Sequence, residues 1–443
     1  MATRSAEVVI CGAGIAGISL AYRLAVTHGV RKVLLVDERP PLSLTSDKST
    51  EAYRNWWPGP DDAMVRLMNR SIDLLEELAG ASGNRFLMNR RGYLYATAEP
   101  ARAEAMRAGA EQAAGFGAGE LRVHCGRAGD PSYRRLAGAD WPEEPGAADL
   151  MLDPELISRC GWFSGQQLGM LQLEAARAVG VQLLTGRVTA VGAAGGRVSE
   201  VTVAAAGGTE TIATERFVDA AGPLLAPVGR LLGLELPVFS ELHLKVCLED
   251  HLGVVPRDAP LLIWQDPQRL EWSDEEREFL AASAEGEHLL REMPAGVHLR
   301  PEGGGASRQV IILWPYHAER TAEVFPLPLP EHYAEVCARG IAAMIPGFAA
   351  YFERLPRPYV DGGYYTKTCD NRPLVGPLPV AGACVHGALS GFGLMASSAT
   401  AELAAAHLTG SALPHYAPSF HPARFDDRAS TARLAAWSDS AQL

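Results

Sequence analysis

No apolar run in the 443 residues approaches the roughly 20 needed to cross a bilayer, so no membrane span is expected. Basic residues are in deficit: 40 Lys and Arg against 52 Asp and Glu leave a formal net charge of −12. No basic stripe compensates, which argues against a nucleic-acid surface. The seven cysteines, Cys11, Cys125, Cys160, Cys247, Cys337, Cys369 and Cys384, are odd in number and scattered. None stands in a Cys-x-x-Cys pair, so neither a disulfide framework nor a zinc or iron–sulfur site is expected, and no metal is assigned. Met1–Glu7 lead directly into an apolar segment without a secretory leader, and a reducing cytoplasm is the expected compartment. Internal repeats are also lacking. Hydrophobic content of 47% and charged content of 21% are those of an ordinary globular chain, and the length allows two domains.

What is present begins with Gly12-Ala13-Gly14-Ile15-Ala16-Gly17, directly after the apolar run Val8-Val9-Ile10. A helix-like stretch, Ile18–Ala25, follows, and then the apolar Val33–Val36 ending in Asp37-Glu38. Each part of this unit has a physical task. Gly12 permits a tight turn, Gly14 lets a pyrophosphate approach the backbone, and Gly17 lets helix and strand pack closely. The helix start offers unpaired N–H groups, Ile15 and Ala16 among them, to phosphates. Asp37 stands about 20 residues past Gly17, where a carboxylate accepts ribose hydroxyls. The pattern implies a bound dinucleotide.

Further along, periodicity predicts helices at 62–79, 101–114 and 166–179, whereas 115–150, rich in Gly, Pro and Asp, reads as irregular. Strands are expected at 181–184 and 188–191, with a hairpin of 200–204 and 209–213 about Gly207-Gly208. Arg216–Pro223 reads as an apolar strand ending in a glycine turn. Strand-like runs then dominate 236–317, interrupted by the acidic segment 273–278, which reads as an exposed helix. A helix near 331–343 follows. The chain returns to nucleotide-domain style with Ala383–Gly387, the turn Ser390-Gly391-Phe392-Gly393 and a helix-like 395–408.

Three segments, Gly12–Gly17, Val218–Pro223 and Gly387–Leu394, resemble in order and spacing the FAD-dependent amine oxidoreductases of the D-amino-acid oxidase, glycine oxidase and monomeric sarcosine oxidase superfamily. The resemblance implies an α/β fold: a discontinuous Rossmann-like FAD-binding domain with an inserted sheet-rich (α+β) substrate domain. The expected parts are 1–80, 151–235 and 361–443 for FAD, and 81–150 and 236–360 for substrate. It further implies that FAD lies against Glu38 and Arg39 beside Asp37, against Ser46, Ser49 and Thr50, and against Val188, Ala220, Ala221 and Gly222. At the flavin end it implies Gly391, Phe392, Gly393, Leu394 and Met395, where the last glycine turn aims backbone N–H groups at the flavin.

Asp47–Arg54 resembles the sarcosine-oxidase stretch in which a Thr-Arg pair precedes a second Arg. Thr50 matches the Thr, Glu51 replaces the first Arg, and Arg54 matches the second, which binds the substrate carboxylate in the relatives. A guanidinium fork suits that task. Where relatives tether flavin to cysteine this chain has Gly363, before Tyr365-Thr366-Lys367-Thr368, and Cys369 lies in the same loop, so noncovalent FAD is expected. The lysine that follows the last glycine turn in the relatives is Met395 here. Leu313–His317 lacks the lysine that relatives place near flavin for oxygen activation, and Lys245 is a candidate from another strand. Tyr53, Trp56 and Tyr365 are candidates for aromatic walls, and Tyr316, His317 and His243 lie in or beside strands of the same region.

The expected activity is FAD-dependent oxidation of a C–N bond by hydride transfer, on a small amine or amino acid or on a larger biosynthetic intermediate, with oxygen or another acceptor. The catalytic candidates are Arg54, Tyr53, Lys245, Tyr316, His317 and Tyr365. Two alternatives stand beside it: oxidation of a 2-hydroxy acid or other C–O substrate, which needs a base such as His317 or His243, and a noncatalytic FAD-binding assembly factor.

Overall fold

The structure is a computed structural model describing residues 4–119, 122–125, 148–151 and 159–426, with the two short segments described as backbone only. Val8–Cys11 is buried at every position, as strands covered on both faces must be. It pairs in parallel with Val33–Asp37 on one side and Phe217–Asp219 on the other. Gln182–Ala194 and Ala383–Gly387 extend the parallel set outward. The spatial order is thus Gln182–Ala194, Val33–Asp37, Val8–Cys11, Phe217–Asp219, Ala383–Gly387. The winding direction reverses beside Val8–Cys11, and such a reversal opens a crevice at the carboxyl ends of the strands. Antiparallel pairings on both sides, and the short strand Arg4–Ser5 parallel to Gly208–Ala213 at one edge, complete a nine-stranded sheet.

Helices Ile15–Tyr22, Ala63–Ser82 and Gly393–Thr409 pack together over one face. Gly393–Thr409 is buried nearly all round, which its alanines allow because they let neighbouring helices approach closely.

A second sheet runs Arg320–Thr321, Phe239–Glu249, Gln309–Leu313, His298–Pro301, Leu261–Trp264, Tyr93–Thr97, Ala148–Met151, Arg122–Cys125, with Tyr359–Lys367 also paired to Phe239–Glu249. Alternation sorts Phe239–Glu249 by face. Leu242, Leu244, Val246 and Leu248 enter a core shared with the helix Tyr333–Ile341, while Glu241, His243 and Lys245 occupy the other face. The architecture is the expected one: a doubly wound nucleotide-binding sheet with a separate sheet-rich layer.

Three local expectations change. Part of 115–150 is not irregular: Arg122–Cys125 and Ala148–Met151 pair with each other, and the latter also pairs with Tyr93–Thr97. That pairing is long-range, so local composition carries no trace of it. The strands expected at 181–184 and 188–191 form one strand that changes partner. Its first residues pair with Val33–Asp37, and from Gly186 onward it pairs with Arg197–Ala205. A Cβ on Gly186 would stand 2.7 Å from Val203, so the close approach at the crossover requires glycine. Pairing also carries the second sheet through Lys367, beyond the boundary expected at 360.

Candidate active site

The glycine turn is shaped by close backbone approach. Gly12 has φ +111°, and a Cβ there would lie 2.3 Å from the Ala220 carbonyl oxygen. One on Gly17 would lie 1.9 Å from the carbonyl of Gly12. The Ala13 N–H donates to Asp37 Oδ2 at 2.7 Å and Arg39 N–H to Oδ1 at 2.9 Å, bracing the turn against the end of the second strand. Burial raises the Asp37 carboxyl, and these two N–H donors oppose the rise. Ile15 N–H donates to Ser46 Oγ at 2.9 Å. The helix Ile15–Tyr22 has no acidic residue in its own first turn, so beyond the Asp37 and Ser46 contacts its positive end faces the groove.

A groove of about 830 Å³ runs from this turn. The turn contributes Gly12, Gly14, Ile15 and Ala16, and the following loop contributes Asp37, Ser46 and Ser49. The far wall is Ala220, Ala221 and Gly222, and the last glycine turn adds Gly391, Gly393 and Leu394. Leu42, Ala388 and Ser390, also in its walls, hold positive φ without being glycine. Such strain, of order 1–3 kcal/mol each, concentrates at binding sites. The groove suits FAD: an anion-favouring helix end, a carboxylate near the adenosine side, and a second uncapped helix start at Gly393–Thr409.

Some expected contacts lie elsewhere. Gly17 packs under the turn. Glu38 is exposed, beside a shallow surface hollow with Thr185 and Arg187. Arg39 stacks its guanidinium 4.9 Å from the Phe325 ring. Val188 is buried among Val9, Val36 and Val201 and does not line the groove, because alternation turns its side chain into the core. Among the described residues no cysteine lines the groove. Gly363 faces Thr45, where a Cβ would come within 3.0 Å of backbone, and Cys369 lines neither the groove nor the adjoining cavity.

The groove opens into a cavity of about 880 Å³, with Ser49, Tyr365, Gly391 and Leu394 in both walls. Thr50, Phe392 and Met395 line this cavity instead of the groove. So does Arg54, which is 4% exposed, donates to Tyr95 Oη at 3.1 Å and lies 4.8 Å from the Trp57 ring. Tyr53 is not part of the cavity wall. Its neighbours Ala52 and Arg54 face the cavity, so alternation turns Tyr53 away, where its hydroxyl donates to the Asn89 carbonyl at 2.7 Å. Trp56 is likewise packed away, against Tyr95 at 5.4 Å.

Lys245 does not line the cavity; its Nζ donates to the Asp47 carbonyl at 2.5 Å, and burial lowers its pKa. Tyr316 and His317 do not reach it either. They pack on Tyr333, and burial pushes His317 down to about 4. Tyr365 does line it, with His243 stacked on its ring at 4.1 Å.

Several residues are placed here that sequence reasoning did not single out. His298 lines the cavity, donates through Nδ1 to the Gly296 carbonyl at 2.8 Å, and is pushed by burial to about 4. Glu241 and Lys367 hold His243 from behind. Arg300, 1% exposed, donates to the Thr50 carbonyl at 2.6 Å and stands 3.7 Å from Glu51. Glu51 Oε1 also accepts from Gly165 N–H at 2.9 Å. The acid at the position of the relatives' arginine is thus matched by an arginine from another strand. The Glu241-x-His243-x-Lys245 alternation was the one visible signal; His298 and Arg300 had none.

No curated protein matches the chain by sequence. Solved structures do match in fold. L-proline dehydrogenase from P. horikoshii superposes with a TM-score of 0.71 at 18% identity, covering 96% of this chain and 98% of its own. Glycine oxidase from Geobacillus kaustophilus gives 0.70 at 17% identity, covering 93% and 96%. Iminodiacetate oxidase from Chelativorans sp. BNC1 gives 0.68 at 19% identity, covering 94% and 98%. The profile of the family described as FAD dependent oxidoreductase matches residues 7–407. With a groove that suits FAD and a match over nearly its whole length, this chain belongs to the DAO family of FAD-dependent oxidoreductases.

Proposed function

We propose that the chain oxidises a C–N bond of a small amine or amino acid bearing a carboxylate. The observation that carries this is Arg54: a buried guanidinium, bonded to Tyr95, on the wall of a cavity that adjoins the FAD groove and that no carboxylate lines among the described residues. A buried cation there favours an anionic partner, and the fork offers two parallel donors to it. Proline, glycine and iminodiacetate, which three structural neighbours are named for, each pair a carboxylate with an amine one carbon away.

Anchored on Arg54, such a substrate turns its C–H bond toward the shared walls Tyr365 and Gly391, where groove and cavity meet. Bound FAD supplies the acceptor for the hydride equivalent that leaves carbon. Trp57, Tyr93 and Tyr365 exclude water from the reacting bond. Met395 contributes no second cation, so the carboxylate rests on Arg54 and the remaining wall accepts an apolar substituent on the amine. The hydroxy-acid alternative uses the same anchor and differs only in the atom bonded to the oxidised carbon.

The test is anaerobic mixing of the FAD-loaded protein with glycine, N-methylglycine, L-proline, iminodiacetate and lactate, following the flavin absorbance. Bleaching by an amine and not by lactate is expected. Bleaching by lactate alone, or by none of the five, overturns the amine reading.

A further inference from the structure

Glu241 and His243 share the cavity-side face of Phe239–Glu249, and Tyr365 and Lys367 share the same face of the neighbouring strand. Lys367 Nζ donates to Glu241 Oε2 at 2.8 Å, and His243 Nε2 lies 3.1 Å from that same oxygen. All three side chains are nearly buried, at 9%, 15% and 8% exposure. Burial alone would raise the Glu241 carboxyl, yet the hydrogen bonds from His243 and Lys367 outweigh it and hold it at about 2. Glu241 is therefore a carboxylate, which only accepts, so His243 carries its hydrogen on Nε2. Nδ1 keeps its lone pair and makes no hydrogen bond to any described residue. Stacking on Tyr365, with 12° between ring planes, fixes the imidazole's orientation where it lines the cavity.

His298 shows what this arrangement adds. Its Nδ1 is spent on a backbone carbonyl, and among the described residues that carbonyl alone, with no carboxylate, opposes the fall that burial imposes on its pKa. His243 has an acid at its back, lines the cavity, and keeps an Nδ1 that bonds no described residue.

We propose that His243 is a catalytic base for the substrate's proton: Nδ1 takes a proton from the substrate ammonium, and Glu241, held by Lys367, is the positioning residue that supports the resulting imidazolium. The N–H bond of the ammonium breaks, its electron pair stays on the amine nitrogen, and a new N–H bond forms on Nδ1. Nothing is oxidised in that step. It leaves the neutral amine whose lone pair supports hydride departure from carbon. This rests on the C–N reading above.

The groups that face His243 are Glu241 on its own strand, Lys367 and Tyr365 on the adjacent one, and His298 and His317 at longer range; Arg320, opposite Glu241, stacks on Phe239 instead. Burial lowers the His243 pKa and the Glu241 carboxylate opposes the fall, so the ring is neutral at pH 7.

Two measurements on the FAD-loaded full chain test the proposal. Nitrogen-15 NMR of labelled imidazoles, assigned with His243→Gln, should show His243 neutral with its hydrogen on Nε2 at pH 7, and this tautomer preference should weaken in Glu241→Gln. Anaerobic flavin reduction by N-methylglycine, glycine or L-proline should slow by about 100-fold in His243→Gln at pH 7, at unchanged flavin content, with the deficit narrowing at alkaline pH where the amine loses its proton unaided. In Glu241→Gln the acid limb of the reduction rate should move to lower pH, a shift that a packing role would not produce. An imidazolium or an Nδ1–H tautomer at pH 7, or an unchanged rate in His243→Gln, overturns the proposal. If no amine reduces the flavin, the C–N reading fails by itself; a bare Nδ1 then still supports a proton acceptor in the cavity, and a protonated one overturns it.

Discussion

Tyr53 and Arg54 are adjacent, yet one is packed on Phe163 and the other lines the cavity. A single peptide separates core from cavity wall because side chains alternate along extended backbone. Residue chemistry was legible where a group is rare and costly to bury. A charged guanidinium persists at 4% exposure only with partners, which Tyr95 and Trp57 supply. Arg54→Ala is expected to raise the KM of a carboxylate-bearing substrate roughly 100-fold, the loss of a charge-assisted pair worth about 3 kcal/mol. Flavin content should stay the same, since Arg54 does not line the groove. Steady-state kinetics beside the flavin-to-protein absorbance ratio would check both halves; an unchanged KM removes the anchoring role. Lys245, by contrast, offered only its charge to the sequence reader. Its destination, the Asp47 carbonyl, depends on how the loop 40–51 lies across the sheet, which no local pattern encodes.

At the scale of elements, the strand–turn–helix unit is readable because each part obeys a local rule: apolar run, glycine at the close approaches, acid at the strand end. The same holds for the acidic segment, which forms the helix Asp274–Ala281 with Ser273 and Glu276 capping reciprocally. Arg122–Cys125 and Ala148–Met151 escaped because their order comes from each other and from Tyr93–Thr97, far away in sequence. Gly393–Thr409 is an element whose alanines carry a tertiary meaning. They let it lie close against the helices Ile15–Tyr22 and Ala63–Ser82. Ala404 is fully buried, so Ala404→Leu is expected to destabilise the protein by about 1–3 kcal/mol through overpacking. A lowered urea midpoint at unchanged slope would register it; an unchanged midpoint would show that the helix contact has room to spare.

For the whole molecule, the buried histidines set an acid limit. Burial lowers His243, His298, His317, His386, His407 and His421, with His298 and His317 near 4 and His386 near 3. A histidine whose folded pKa lies below its unfolded value near 6.5 binds fewer protons when folded. Its contribution is intact above 6.5 and is lost as pH falls toward the folded pKa. The thermal midpoint should therefore fall between pH 6.5 and 4. His386, far from any solvent and bonded to Thr400 at 2.9 Å, should account for part of that slope. His386→Asn should flatten the decline, whatever its effect at pH 7. A midpoint that holds level from pH 7 to 4 in the parent protein would contradict the burial assigned to these rings.

The sequence by itself determined the dinucleotide turn, the doubly wound sheet around it and the family resemblance, because each rests on short spacings; it also singled out Arg54, which the structure places in the cavity wall. Tertiary structure alone decided which side chains share the cavity. His243, His298 and Arg54 in its wall, with Glu241 and Lys367 behind His243, come from three strands and a loop edge, and only the pairing of Phe239–Glu249 with Tyr359–Lys367 puts the acid, the imidazole and the cation on one face. Spacing along a chain records neighbours within an element, whereas the register between distant strands is set by cores that form only when the whole chain has collapsed.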